Sequence, residues 1–221
     1  MFMSSPIKVA ILEDHQSIID GYQLRLDDAS GIKVVGTASN GEELNSMLVQ
    51  HPAIDVLIMD ITVPSSPINE NPIPILQYVP QILEGKPNLN ILIISMHKQA
   101  SLVKALADVG VSGYIFKHDS DSIRRLPAII RSISSGQKYF TDNSHGEIHT
   151  ENAAKQILTG RQLQVLAFCA ANPDLSTDQV ATELGIASST IRNLLSESYE
   201  RLNVHTKAAA IAKARMLGLI P

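Results

Sequence analysis

Short apolar runs alternate with amphipathic segments through the first part of the chain. The runs IKVAIL (7–12), KVVGTA (33–38), DVLIMDI (55–61), NILIIS (90–95) and SGYIFK (112–117) are rich in Ile, Val and Leu. Their length and near-continuous hydrophobicity predict strands buried on both faces. Between them Ile18, Ile19, Tyr22 and Leu26 recur at helical spacing, as do Leu44, Met47 and Leu48, and later Leu102, Val103, Leu106 and Val109. Each set predicts a helix with one apolar face. The alternation predicts five βα units, hence an α/β doubly wound fold with a five-stranded parallel sheet.

The last helix of this region is expected to start at Leu126-Pro127, because proline suits the first helical turn, and to stop at Gly136. Apolar periodicity then fades, giving an expected first domain of residues 1–137 and a linker of residues 138–156. The stretch from Pro64 to Pro80 reads as a Pro-rich loop. Periodicity returns in residues 157–221. Thr159 followed by Gln162, and Ser176 followed by Gln179, are capping-box patterns that open helices. The first of these helices is expected to bury Leu163, Leu166, Ala167 and Ala170, and the second Val180, Ala181 and Leu184 before Gly185 ends it. A third, from about Ser188 to Leu202, places Ile191, Leu195, Ser198 and Leu202 on one face, and a fourth runs from Lys207 to Leu217. Helix, glycine-containing turn and helix at this spacing predict a small all-α helix-turn-helix domain.

Composition narrows the setting. A chain of 221 residues with 44% hydrophobic and 4% aromatic content suits two globular domains built on aliphatic cores. A formal net charge of -4 gives no global attraction to nucleic acid or to an anionic membrane, so any such binding is local. The single cysteine, Cys169, excludes an internal disulfide and fits a reducing compartment. The polar start MFMSSPIK and the short apolar runs predict neither a signal peptide nor a membrane span, and a cytoplasmic protein is expected.

Chemistry gathers at the carboxyl ends of the predicted strands, where doubly wound sheets bind ligands. Glu13 and Asp14 follow the first strand, Asp60 closes the third, Ser95 the fourth and Lys117 the fifth. Three carboxylates in one pocket repel unless a cation offsets them, and an oxygen-only set suits Mg²⁺. With the metal present, one carboxylate could act as nucleophile toward a phosphoryl group. Lys117 would neutralise phosphoryl oxygens and Ser95 would hydrogen-bond one. Taken singly, each acidic residue could equally cap the helix that follows it. His15, His97 and His118 also lie near strand ends. His145 and His149 have the spacing of a helical metal pair but fall in the linker beside Gly146.

The segments LEDH (12–15), LIMDITVP (57–64), LIIS (92–95) and GYIFK (113–117) together resemble the flavodoxin-like receiver domain of two-component response regulators. The resemblance implies that Asp60 accepts phosphate from a sensor histidine kinase. It implies that Glu13, Asp14, Asp60 and the carbonyl of Thr62 bind Mg²⁺, that Lys117 and Ser95 assist, and that Ser95 and Tyr114 form a switch pair. The sequence departs from the family in the longer Pro-rich loop after Pro64 and in Met96, where a small residue is usual.

The segments LTGRQLQVL, STDQVATELGIASSTIRNLL and YERLNVHTKAAAIAKA resemble the LuxR-type domain of NarL/FixJ-type regulators. That implies dimers reading paired sites on promoter DNA through the third helix. By position Arg192, Asn193 and Ser196 would approach bases or phosphates, and Lys207 would hold the backbone. From Leu158 onward six Lys or Arg face five Asp or Glu, a weak basic excess for a phosphate-binding surface. Three readings follow: a phosphorylation-controlled transcription regulator, a phosphorylation-independent one or a protein-contact module, and an aspartyl-nucleophile hydrolase. The last lacks the second Asp expected two residues after the nucleophile.

Overall fold

The computed structural model describes residues 5–141 and 157–220. The linker histidines His145 and His149 lie outside them. The elements of the first part are β1 (Ile7–Leu12), α1 (Gln16–Asp27), β2 (Ile32–Ala38), α2 (Gly41–Gln50), β3 (Val56–Met59), β4 (Pro64–Ser66), β5 (Asn69–Pro72), α3 (Ile75–Gly85), β6 (Asn90–Ser95), α4 (Ala100–Asp108), β7 (Gly113–Phe116), α5 (Ser120–Arg124), α6 (Leu126–Ser134) and β8 (Tyr139–Phe140). Four helices follow: α7 (Gly160–Ala171), α8 (Thr177–Glu183), α9 (Ser188–Leu202) and α10 (Lys207–Met216). The described chain forms two compact units, the first made of residues 5–73, 81–96 and 110–141, the second of residues 74–80, 97–109 and 157–220.

The first unit is built on a parallel sheet in the order β2-β1-β3-β6-β7-β8. Val9, Ala10, Ile11 and Leu12 are all fully buried, so β1 is covered on both faces, which is why its sequence is continuously apolar rather than alternating. On one face Val9, Ile11, Val56, Ile58, Leu92, Ile94 and Ile115 pack against Ile19, Tyr22 and Leu26 of α1 and Leu126, Ile129, Ile130 and Ile133 of α6. Each large aliphatic side chain buried there contributes about 1.5–3 kcal/mol. Pro127 sits in the first turn of α6, and Gly136 follows the helix with φ +89°, a left-handed conformation that glycine adopts without a Cβ clash.

Three features of the fold depart from the sequence expectation. The sheet has a sixth strand, β8, from a stretch read as the start of the linker. Tyr139 N donates to Ser112 O at 3.1 Å and Thr141 N to Tyr114 O at 2.9 Å, so β8 pairs groups that β7 would otherwise leave open. Two residues are too few to carry a periodicity. Within the Pro-rich loop, β4 and β5 form an antiparallel hairpin in which Pro64 faces Pro72. Proline is tolerated there because a two-stranded ribbon has only edges. Helix α3 runs through Pro80, which in the sequence reads as a breaker; Ile75, Leu76, Val79 and Ile82 are buried along it, and their burial offsets the hydrogen bond that the proline removes.

In the second unit both capping boxes form, Thr159 with Gln162 and Ser176 with Gln179. Helix α7 is buried from Gln162 to Ala171 except at Gln164, because it lies against α9, α10 and α4. Leu163, Leu166, Ala167 and Ala170 are inward as their spacing predicted, and Cys169 is buried with them. Helix α9 buries Ile191, Leu195, Ser198 and Leu202 and no other residue. Gly185 makes the left-handed turn between α8 and α9. Among the described residues no helix is long and apolar enough to cross a membrane.

Candidate functional site

Strand order places the pocket. Strands β1 and β3 are neighbours in register, with Leu12 opposite Met59, so the residues that follow them, Glu13 and Asp60, stand side by side. The backbone ladder continues one step past the strands: Glu13 N donates to Ala38 O (3.0 Å), Asp60 N to Leu12 O (2.9 Å) and Lys117 N to Ser95 O (2.8 Å). These bonds fix the site residues to the sheet edge rather than to free loops. The order of strands across the sheet switches direction here, with β2 on one side of β1 and β3 on the other, which is where doubly wound sheets open a crevice.

Glu13 and Asp60 are 1% and 3% exposed. Lys117 Nζ donates to Glu13 Oε2 at 2.7 Å and to Asp60 Oδ2 at 2.8 Å. One ammonium thus serves two buried carboxylates. Burial pushes the Glu13 carboxyl above its usual range, and the charge of Asp60 adds to that, while the hydrogen bond from Lys117 pulls against it. Burial works against the charge of Lys117, yet its bonds to Asp60 and Glu13 win and hold its ammonium above the usual lysine range. Both Asp60 oxygens are occupied: Oδ1 accepts from Ile61 N–H at 2.7 Å, and Oδ2 accepts from Thr62 Oγ1 at 2.7 Å besides Lys117.

Asp14 faces outward to His15, whose Nδ1 donates to Asp14 Oδ1 at 2.7 Å and lies 3.2 Å from Glu13 Oε1. Those bonds, chiefly to Asp14, hold the imidazole above its ordinary range. Donor atoms of Glu13, Asp14 and His15 fall within 4.8 Å of one another. An acidic group therefore sits at the mouth of the pocket, and with Asp60 it outweighs the one lysine.

Ser95 is fully buried at the end of β6, and Tyr114 on the adjacent β7 is 1% exposed. The two side chains are hydrogen-bonded; burial drives the Tyr114 phenol well above its usual range, and the bond from Ser95 opposes that. The Tyr114 ring meets Phe116 edge-on, centroids 5.5 Å apart. Two features were not read from the sequence. The Thr62 side chain bonds the carboxylate, where only its carbonyl had been implied. Tyr22 on α1, taken as a plain core residue, is driven upward by burial and by the charges of Glu13 and Asp60. A helical repeat marks Tyr22 as inward but not what it faces.

In the second unit Arg192, Asn193 and Ser196 are exposed on α9. Arg192 Nη2 lies 2.8 Å from Asp178 Oδ1, an exposed pair joining α9 to α8. Glu197 accepts from Gln162 Nε2 at 2.9 Å. The Lys207 ammonium donates to the carbonyls of Pro173 (3.1 Å) and Leu175 (2.9 Å), tying α10 to the loop before α8. Residues 177–202 carry Asp178, Glu183, Glu197 and Glu200 against Arg192 and Arg201.

Known proteins match this arrangement along most of the chain. Residues 9–128 fit the model of the response regulator receiver domain, and residues 156–214 that of the bacterial regulatory proteins of the luxR family. The chain is 25% identical over 220 residues to the oxygen regulatory protein NreC of Staphylococcus carnosus, covering 94% of this chain and 96% of that protein. It is 25% identical over 206 residues to the response regulator UvrY of Escherichia coli, covering 90% and 89%. RcsB from Salmonella enterica serovar Typhimurium, solved bound to promoter rprA with the phosphomimetic BeF3-, shares the fold with a TM-score of 0.64, at 18% identity over 95% of this chain and 98% of that one. The chain belongs to the two-component response regulators of the NarL/FixJ type, a receiver domain joined to a LuxR-type DNA-binding domain.

Proposed function

We propose that this protein is cytoplasmic, that Asp60 is its phosphoryl acceptor, that a sensor histidine kinase supplies the group, and that the modified protein binds promoter DNA as a homodimer. The observation that carries this reading is the bridge of Lys117 from Asp60 to Glu13 at the ends of adjacent strands. In the transfer an Asp60 carboxylate oxygen bonds to phosphorus, the bond from phosphorus to the donor breaks, and the donor leaves with the electron pair. Lys117 is held where the phosphoryl oxygens would gather, and Ser95 closes the next strand, its hydroxyl bonded to Tyr114 and within the reach of a shift on phosphorylation.

The donor set fits Mg²⁺: Glu13 and Asp14 converge at the pocket mouth, with Asp60 beside Glu13, and the net negative charge there calls for a divalent cation. Glu13, Asp14, Asp60 and the carbonyl of Thr62 would hold the ion, which when bound neutralises charge on the phosphoryl group. Ser95 would move toward that group, and Tyr114, already inward, would carry the change to the face of β7.

On the DNA side, α9 would enter the major groove with Arg192, Asn193 and Ser196 facing the duplex, and Lys207 would approach the backbone. The acidic balance of α8 and α9 favours output through a dimer, since one copy offers little phosphate attraction. The test is incubation of the full chain with acetyl phosphate and Mg²⁺, wild type beside Asp60→Asn. Expected are a mass gain of one phosphoryl group on the wild type alone, a shift to dimer in size-exclusion chromatography, and tighter DNA binding. Labelling of the Asp60→Asn protein, or no labelling of either, refutes the reading.

A further inference from the structure

We propose that β8 is a latch, paired with β7 while Asp60 is unmodified and opened by phosphorylation, which releases the point where the chain leaves the receiver; the inference rests on Asp60 being the acceptor. Gly113 admits this strand to the sheet. A Cβ there would lie 2.7 Å from Tyr139 O, so the β8 backbone comes this close only beside a glycine. Thr141, which follows β8, is the last residue of the first unit.

Each end of β8 is anchored on a residue tied to the phosphoryl site. At the carboxyl end Thr141 donates twice to the carbonyl of Tyr114, from N at 2.9 Å and from Oγ1 at 2.8 Å. Tyr114 is the residue whose side chain is bonded to Ser95. At the amino end the Tyr139 hydroxyl lies 2.8 Å from Oγ of the buried Ser122. Ser122 gives its one hydroxyl proton to Asp119 Oδ2 at 2.6 Å, so the phenol is the donor to Ser122. Asp119 stands two residues after Lys117 and is fixed to the end of β7, its N–H donating to Phe116 O at 2.8 Å.

A strand of two residues held by so few bonds belongs to the low-stability end of a fold and has two discrete arrangements, paired and open. Phosphorylation acts on both of its anchors together. In the unmodified site Lys117 is held by Asp60 and Glu13, and Ser95 by Tyr114. Once the group is on Asp60, both donors turn to its oxygens: Ser95 lets go of the Tyr114 hydroxyl, and Lys117 draws the residues that follow it. Tyr114 and Asp119, from which β8 hangs, then leave the positions that the paired strand needs. The phosphoryl group makes the differential contact, with Ser95 and Lys117, and β8 is the element whose equilibrium it biases. Loss of one hydroxyl anchor should open β8 about two- to tenfold more often, the share of one ordinary hydrogen bond.

The experiment reads hydrogen exchange at the Tyr139 and Thr141 amides of the full chain by mass spectrometry, before and after acetyl phosphate with Mg²⁺. Intact mass reports the phosphoryl group, and size-exclusion chromatography the oligomer. In the wild type the two amides should exchange about tenfold faster once the group is on, while those of Ile11 and Ile58 in the central strands stay protected. Tyr139→Phe and Thr141→Val should exchange about two- to tenfold faster with no phosphate present, and should shift toward the oligomer that the modified wild type forms. Thr141→Ser, which keeps the hydroxyl, should match the wild type, a pattern that packing of the side chain does not produce. Equal exchange of the two amides in the modified and unmodified wild type overturns the inference, as do variants that exchange like the wild type or that open with no shift in oligomer. Absence of the phosphoryl mass from the wild type, or its survival in Asp60→Asn, overturns the reading beneath it instead.

Discussion

Lys117 and Glu13, 104 positions apart in sequence, meet at 2.7 Å through Nζ and Oε2, and both side chains are nearly closed to solvent. Asp60 shares the same ammonium at 2.8 Å. Two anions and one cation held largely out of solvent make an unbalanced cluster, and its imbalance governs how the receiver responds to mutation, pH and cation.

Lys117→Met leaves Glu13 and Asp60 buried beside each other with no counter-charge. Breaking a buried pair from one side costs about 3–5 kcal/mol. Urea unfolding at pH 7 in the presence of a chelator should show a loss of that order. Added Mg²⁺ should recover part of it, whereas NaCl at equal ionic strength should not.

Glu13→Gln should act in the opposite sense. The Glu13 carboxyl is raised by burial first, so its folded-state pKa lies above the ordinary 4.5 of a glutamate. A raised carboxyl favours folding while protonated, so the ionised form costs stability as pH climbs from 4.5 through the folded-state value, and that cost persists above it. The Gln protein carries no such charge. Its receiver transition at pH 7 should melt higher than that of the wild type, and a differential-scanning measurement of the two proteins reads the sign directly. Below pH 4.5 the difference should vanish, and a gap that persists there would show that packing, not ionisation, sets it.

Ser95 and Tyr114 should be coupled. Each single substitution, Ser95→Ala or Tyr114→Phe, strands a buried hydroxyl of the partner, at a cost of about 1–3 kcal/mol. The double variant removes both groups together. Its loss should fall short of the sum by about 0.5–3 kcal/mol in a double-mutant cycle, and additive losses would mean that the two hydroxyls are satisfied elsewhere.

Asp178→Asn releases the Arg192 guanidinium, now paired at 2.8 Å on the surface. Such exposed pairs contribute about 0.2–1 kcal/mol, so unfolding should hardly change. Affinity for duplex DNA should rise about three- to tenfold at low salt, with a steeper dependence on salt, because one more cation is free to displace counterions. Fluorescence anisotropy at two KCl concentrations measures both. Unchanged affinity would place Arg192 away from the duplex.

Much of the site was readable because its residues sit at strand ends, and strand ends are marked locally. The runs before Glu13, Asp60, Ser95 and Lys117 are apolar and stop abruptly, so position along each strand was legible without knowing the neighbours. The second unit was legible for the same kind of reason: caps act within three residues, as Thr159 with Gln162 and Ser176 with Gln179 do. The inward set Ile191, Leu195, Ser198 and Leu202 follows from helical period alone, including its one polar member, whose hydroxyl turns back to Leu194 O at 2.6 Å.

Elements whose stability comes from elsewhere were not legible. Strand β8 exists because β7 offers it an edge, and α3 persists through Pro80 because Ile75, Leu76, Val79 and Ile82 are buried along it. The hairpin of β4 and β5 is held partly by Ser65 Oγ donating to Asn71 O at 2.8 Å, a pairing no composition reveals.

The sequence by itself determined which residues carry charge or a hydroxyl and at which end of which element they stand, because period, caps and apolar runs are properties of neighbours along the chain. Only the tertiary structure decided which of them touch. Lys117 reaches across 57 positions to Asp60, Tyr22 comes under the charges of two strand ends, and Arg192 spends its charge on Asp178. Such pairings depend on strand order and helix docking, which are fixed by burial of the whole core and not by any local spacing.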